Sequence, residues 1–454
     1  MRIALAGAII FYFFLPLASR AYSVISHQAI IDAAWETDIK PLLLRRFPQA
    51  TEEDLSAAQA YSYGGAIIQD MGYCQHGNHF FSDLTHYVRS GDFILALLRD
   101  ANDLHEYAFA LGALSHYAAD SDGHRIGTNR AVPILYPQLK KKFGDSVTYE
   151  QDGLAHVKTE FGFDVLEVAK ERYAPESYHD FIGFEVAQRL LDQAFRETYG
   201  LEMKDVFVNE SKVINSYRWD VSKMIPKATR IAWTLKKKDI KDDLPDMTKE
   251  RFLFNLSRGN YEQKWGKDYH KPTLGEKVMA LLWRLIPATG SLKVLEFRTP
   301  TPQTEQMFEA SFNATLEHYH RLIHEVDEGR AKLPNSNFDV GEDTGPGIYH
   351  LNDDTHALLL HKLAEHKFVG ASVELRAELQ YFFAGPDLPY VTKRNAKARA
   401  KVHADMEQLK SALPPALVAA RIALTEPLPG KRARLVSSRR SGLRHHDQCL
   451  TLRR

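Results

Sequence analysis

The chain has 454 residues, room for two or three domains at about 150 residues each, and 44% of them are hydrophobic, enough for a sizeable core. Its 58 basic and 58 acidic residues cancel unevenly: residues 393–454 hold 15 Lys/Arg against 4 Asp/Glu, so the body is acidic, which argues against strong nucleic-acid binding. Only Cys74 and Cys449 are present, which excludes a disulfide framework and a Cys-based zinc site. Any metal must therefore be held by carboxylates and by some of the 20 histidines, six of which fall between His76 and His124.

In chain order, Met1-Arg2 is a short basic start, residues 3–17 form an apolar run, and Ser19-Arg20-Ala21 places small residues at the −3 and −1 positions of a cleavage site. This is the pattern of a secretory signal. Its removal after Ala21 would leave Tyr22 with a free α-amino group in a secreted or periplasmic protein. An uncleaved anchor is the alternative, but the run is short of the ~20 residues a span needs.

The remainder reads as helical. Helices are expected over residues 26–46, interrupted at Pro41, over 53–68, over 92–99 with an Asp92 cap, and over 102–120. The last has Leu104, Ala108, Leu111, Leu114 and Tyr117 recurring every three or four residues. More follow at 153–171, 181–199, 221–237, 273–286 and 304–325. Residues 334–354 are rich in Asn, Asp, Gly and Pro and read as a long irregular connection. Two helices are expected at 355–367 and 372–383, and a basic amphipathic one at 394–413. After Pro427 the chain is basic and poor in apolar residues, a disorder-type composition. Period-two strand runs are scarce, and no internal repeat is evident. The expected organisation is a signal at 1–21, a helical domain over 22–333, a helical extension over 334–426 and a basic tail over 427–454.

Chemistry concentrates in Ser115-His116-Tyr117-Ala118-Ala119-Asp120-Ser121-Asp122-Gly123-His124. His116 and Asp120 are four apart, on one helix face and one turn from each other, so both can reach one ion. His156 and Glu160 repeat that spacing. His86, Asp70 and His27 complete the set. A lone His-x3-Asp is a common accident in a chain with this many histidines and acids. A joint set of nitrogen and oxygen donors suits zinc.

These residues resemble the zinc-dependent phospholipase C family. The order Tyr22, His27, Asp70, His86, His116, Asp120, His124, His156, Glu160 follows the family's order of ligands over residues 22–164, with the helices to residue 330 as the rest of the domain. The resemblance implies an all-α multi-helix phospholipase C/nuclease-like fold and up to three zinc ions. One ion would be held by Asp70, His86, His116 and Asp120. A second would take the Tyr22 amine and carbonyl, His27 and the bridging Asp120. The third would take His124, His156 and Glu160. It also implies hydrolysis of a phosphodiester, with metal-bound water as the nucleophile and a phospholipid as substrate, at a membrane surface or free. Asp70 would act as ligand and as proton acceptor. The phospholipases C and related single-strand nucleases usually begin with Trp where this chain would have Tyr22. The three-residue gap from Asp120 to His124, shorter than the usual five, is similar to the domain of glycosylphosphatidylinositol-specific phospholipase D, as is the Thr-His-aromatic around His86. Glu160 at the close is as in phospholipases C, where the nucleases have Asp. Three alternatives stand beside this reading: a single-strand nuclease or nucleotidase, a metal-binding relative without catalysis, and His79 or His76 in place of His86. His318, His320 and His324 are read as surface or contact residues. The acidic stretch 339–354 lacks the ordered spacing of a calcium loop and is left unassigned.

Overall fold

The computed structural model describes residues 24–169, 185–220, 293–294, 296–385 and 396–412. Tyr22, the signal segment, the helices expected at 221–237 and 273–286, and the basic tail lie outside these residues. Among the described residues there is no strand, only a single bridge between Asn337 and Glu342. The fold is all-α.

The first helical stretch divides where proline requires it. Helix α1 (Val24–Ala34) passes through a wide π turn (Trp35–Ile39) into α2 (Lys40–Arg46). Pro41 lies in the first turn of α2, where its missing N–H costs no hydrogen bond. Helix α3 (Glu52–Gly65) opens on a capping box in which Thr51 and Asp54 satisfy each other's backbone N–H. A 3-10 turn (Ile68–Tyr73) leads to α4 (His79–Tyr87), capped by Asn78. Helix α5 (Ser90–Asp100) begins two residues before the expected Asp92 cap, after Arg89 in a left-handed conformation at φ 50°. Asp92 instead sits in the first turn, where its carboxylate meets the Arg89 guanidinium at 2.7 Å.

Helix α6 (Leu104–Asp122) is central among the described helices. It is capped by Asp103, and all residues from Glu106 to Ser121 are buried. A helix buried all round must be apolar or have its polar groups matched. Here α3, α5, α12 (Pro302–Asp327) and α1 surround it. Its contact with α3 is made at glycine. A Cβ on Gly112 would lie 2.1 Å from the Ser62 carbonyl, and one on Gly65 2.0 Å from that of Phe109. Only the missing side chains let the two backbones come this close.

After α6 come a π turn (Gly123–Thr128), α7 (Asn129–Leu135), α8 (Pro137–Phe143) and α9 (Gly153–Ala169). Then follow α10 (Gln188–Tyr199), α11 (Glu210–Trp219), α12, α13 (His350–Glu365), α14 (Val373–Phe382) and α15 (Ala396–Ser411). Within the described part of the expected helix at 181–199, residues 185–187 are irregular and α10 starts at Gln188. The irregular stretch runs over residues 328–349 and not 334–354, because α13 starts at His350, five residues before its expected start, and the stretch is not peripheral. Ser90 Oγ donates to the Ser336 carbonyl at 2.6 Å, Tyr117 Oη to that of Pro334 at 3.0 Å, and Phe338 N–H to that of His86 at 3.1 Å. No described helix is long and apolar enough to cross a membrane.

Candidate metal centre

Eight of the nine candidate ligands lie among the described residues, and all eight are buried, in two adjoining poles. The first is built on α6. His116 is fixed by its Nδ1, 2.9 Å from the Ala66 carbonyl just beyond α3, an approach that the Gly65–Gly112 crossing makes possible. His86, on α4, has Nδ1 2.7 Å from the Ser82 carbonyl one turn back. With Nδ1 of each ring donating to a carbonyl, both Nε2 atoms are left as lone-pair donors, and they sit 3.4 Å apart.

Asp120 lies between these rings and His27. Its Oδ2 is 3.2 Å from His116 Nε2 and 3.3 Å from His86 Nε2, while its Oδ1 is 3.5 Å from His27 Nε2. The two oxygens thus face different histidines, the disposition of a bridging carboxylate. Asp70, in the 3-10 turn, places Oδ1 3.5 Å from His86 Nε2. Two sets, His27–His116–Asp120 and Asp70–His86–His116, each bring their donor atoms within 4.8 Å of one another. His76 and His79 are exposed and belong to neither set.

The second pole is built on α9. His156 and Glu160 are one turn apart, with Nδ1 2.8 Å from Oε1, and His124 Nε2 is 3.4 Å from the same oxygen. His124 lies in the wider π turn after Asp122 and meets Glu160 of α9. This set, too, has its donors within 4.8 Å.

The electrostatics of the centre follow from its burial and its own charged neighbours. Burial, then the neighbouring His116, depress His27 well below the usual histidine range, and burial depresses His86. Burial drives Asp70 well above the usual carboxylate range despite His116. Burial opposes the ionisation of Asp120, but His116 and His86 outweigh it and hold Asp120 well below that range. For His116 and His124 burial acts downward, and their acidic neighbours reverse it, raising both. Both oxygens of Asp70, Asp120 and Glu160 and both nitrogens of His124 make no hydrogen bond, though all are buried. Buried polar atoms without hydrogen bonds are expensive unless a cation or another partner compensates them. Nitrogen and carboxylate donors at these separations fit zinc, and the carboxylate oxygens and the His124 nitrogen that faces Glu160 are among the atoms it would engage.

Three neighbours of the centre escaped the sequence reading. Asp164 continues the α9 stripe one turn past Glu160. It accepts from the Ile25 N–H at 3.0 Å and from the Ser26 hydroxyl, mooring the start of α1. Its four-residue spacing from Glu160 is the signal that would have found it. Asn129 accepts from His156 Nε2 at 2.7 Å. Asp339 comes from the stretch left unassigned and stands 3.3 Å from His124 Nδ1. His318, His320 and His324 stay outside the centre and pair with Asp122, Asp38 and Glu328.

Residues 26–208 match the family model described as zinc dependent phospholipase C. Comparison with curated proteins and with solved structures gave no match.

Proposed function

We propose, from the premise that residues 26–208 form a domain of the zinc-dependent phospholipase C family, that the protein is a zinc-dependent phosphodiester hydrolase acting on phospholipids. The observation that carries this reading is Asp120, whose two oxygens address two separate histidine groups from one buried position. Asp70, His86, His116 and Asp120 would hold one zinc. His27, Asp120 and the Tyr22 amine and carbonyl would hold a second, and His124, His156 and Glu160 a third. Zinc, when bound, supplies Lewis-acid charge that polarises the phosphoryl oxygens and acidifies the attacking water.

The chain's own residues do the rest. The Ala66 and Ser82 carbonyls hold the two imidazoles with Nε2 facing inward. Asp120 keeps the first two groups in register. Asp70 turns Oδ1 toward His86, and its Oδ2 makes no hydrogen bond, so that oxygen can take the proton from water. The acidic body and the Glu160 terminus of the ligand set support lipid over nucleic acid. Export with cleavage after Ala21 belongs to the same proposal, since only then does Tyr22 present an amine.

The test is hydrolysis of phosphatidylcholine, phosphatidylinositol and single-stranded DNA by the purified protein, before and after chelation. Phospholipid hydrolysis lost on chelation and restored by zinc is expected. Diacylglycerol or phosphatidic acid as product tells C-type from D-type cleavage. Cleavage of DNA alone, or of none of the three with zinc bound, would overturn the lipid assignment.

A further inference from the structure

The irregular stretch after α12 brings two consecutive residues to the metal centre from opposite sides of the same peptide. Phe338 lies with its ring 5.4 Å from the His86 ring and 6.1 Å from the His116 ring, centroid to centroid. Its backbone N–H donates to the His86 carbonyl. Asp339 turns the other way. Its Oδ1 stands 3.3 Å from His124 Nδ1 and 3.6 Å from His156 Nε2. These are the ring nitrogens that face away from Glu160, since His124 meets Glu160 through Nε2 and His156 through Nδ1.

Asp339 is itself firmly held. Its Oδ2 accepts from the Tyr149 N–H at 2.9 Å and the Tyr349 hydroxyl at 2.5 Å. Its carbonyl accepts from Asn129 Nδ2 at 2.6 Å, and the same Asn129 takes the His156 Nε2 proton on its Oδ1. Asp339 Oδ1 makes no hydrogen bond although the residue is buried. A buried carboxylate fixed at one oxygen and aimed at two imidazoles with the other is the arrangement that sets ring orientation and raises the basicity of a metal-ligating histidine.

We infer that Asp339, with Asn129 and Tyr349, is the positioning residue for the His124–His156–Glu160 group, and that the Phe338-Asp339 peptide ties this group to the His86–His116 pole. It acts through the two histidines and needs no contact with substrate. The inference rests on the zinc reading above and deepens it. The third site is completed by a segment lying beyond the matched residues 26–208.

The experiment is metal analysis of the dialysed wild type, Asp339→Asn and Tyr349→Phe, with competition titration against a chromophoric chelator to give stepwise affinities. Circular dichroism of each variant checks that it is folded. In the wild type up to three zincs are expected. Asp339→Asn should weaken one of them by about 10- to 100-fold and leave the others unchanged. Tyr349→Phe leaves the carboxylate in place and removes one of its holds, so the same zinc should weaken by a smaller factor. Should Asp339→Asn misfold, Tyr349→Phe alone decides. A wild type that binds zinc, with variants that bind every equivalent equally well, would overturn this inference and leave the proposed function standing. A wild type that binds no zinc would overturn both.

Discussion

The two poles of the metal centre are built in different ways. The first takes its ligands from α1, the turn before α4, α4 and α6, and its rings are oriented by backbone carbonyls of Ala66 and Ser82. Carbonyls belong to the fold and survive any substitution at their own position. The second takes its ligands from the π turn and α9, and its rings are backed by side chains: Asn129 at His156, and Asp339 beside both histidines. A centre oriented by main chain is specified wherever its helices form. One oriented by side chains can be tuned, or lost, by single substitutions away from the ligands.

The sharpest way to break this comparison is at the residue the first pole depends on. Asp120→Asn keeps the shape but removes the charge shared between His27 and the His86–His116 pair. Two imidazole groups would lose one common anion. Phospholipid hydrolysis should fall by at least about 10³-fold, beyond the 10- to 100-fold typical of an outer-shell partner. Zinc content should drop by more than one equivalent, with the α9 group retained. Loss of a single equivalent would mean that Asp120 serves one ion and bridges none.

A smaller effect is expected at Asp164, which belongs to the second pole by sequence and serves the first by contact. Asp164→Asn weakens the hydrogen bonds that hold Ile25 N–H and Ser26 at the start of α1. Hydrogen bonds to charged groups contribute roughly 1.5–3 kcal/mol each, so the entry of α1 should loosen while α9 stays helical. Zinc affinity should fall at the group containing His27, by about tenfold, with the His124–His156–Glu160 group unchanged. A fall confined to the latter group would show that α9 acts as one unit and that the division into two poles has no energetic meaning.

What the sequence made legible follows the same division. The pairs His116/Asp120 and His156/Glu160 were readable because a helix turns i and i+4 onto one face, and both pairs do face inward from α6 and α9. His86 could be ranked over His76 and His79 only by spacing and local resemblance; in the fold the latter two are solvent-facing. Asp339 was not readable. Its approach depends on how an irregular stretch packs after α12, and nothing periodic encodes that. The α5 start was misplaced because Asp92 looks like a cap, whereas Arg89 in the left-handed region turns the chain earlier. The division of the first helix at a π turn was signalled by Pro41, although the kind of turn was not.

The smallest effect sharpens the comparison from outside the centre. Asp192 and Glu210 also bring two acids together, on α10 and at the start of α11, but with no histidine between them. Burial and the adjacent Asp192 carboxyl push Glu210 up to about 7, so the pair is relieved by a proton where the buried poles look for a cation. A carboxyl whose folded-state pKa is raised contributes stability below its unfolded value, and that contribution is lost as pH rises through the folded value. This pair's contribution to stability should therefore fall between about pH 5 and 8. Both groups are half-exposed, and solvent screening reduces the effect to about 1 kcal/mol, or about 1 °C in Tm for a chain of this length. Glu210→Gln should flatten this part of the pH dependence. Thermal melts of metal-free wild type and variant across that range read the difference directly, since the histidine contributions are common to both. Parallel pH profiles for the two proteins would show that the Asp192–Glu210 pair holds no extra proton in the folded state.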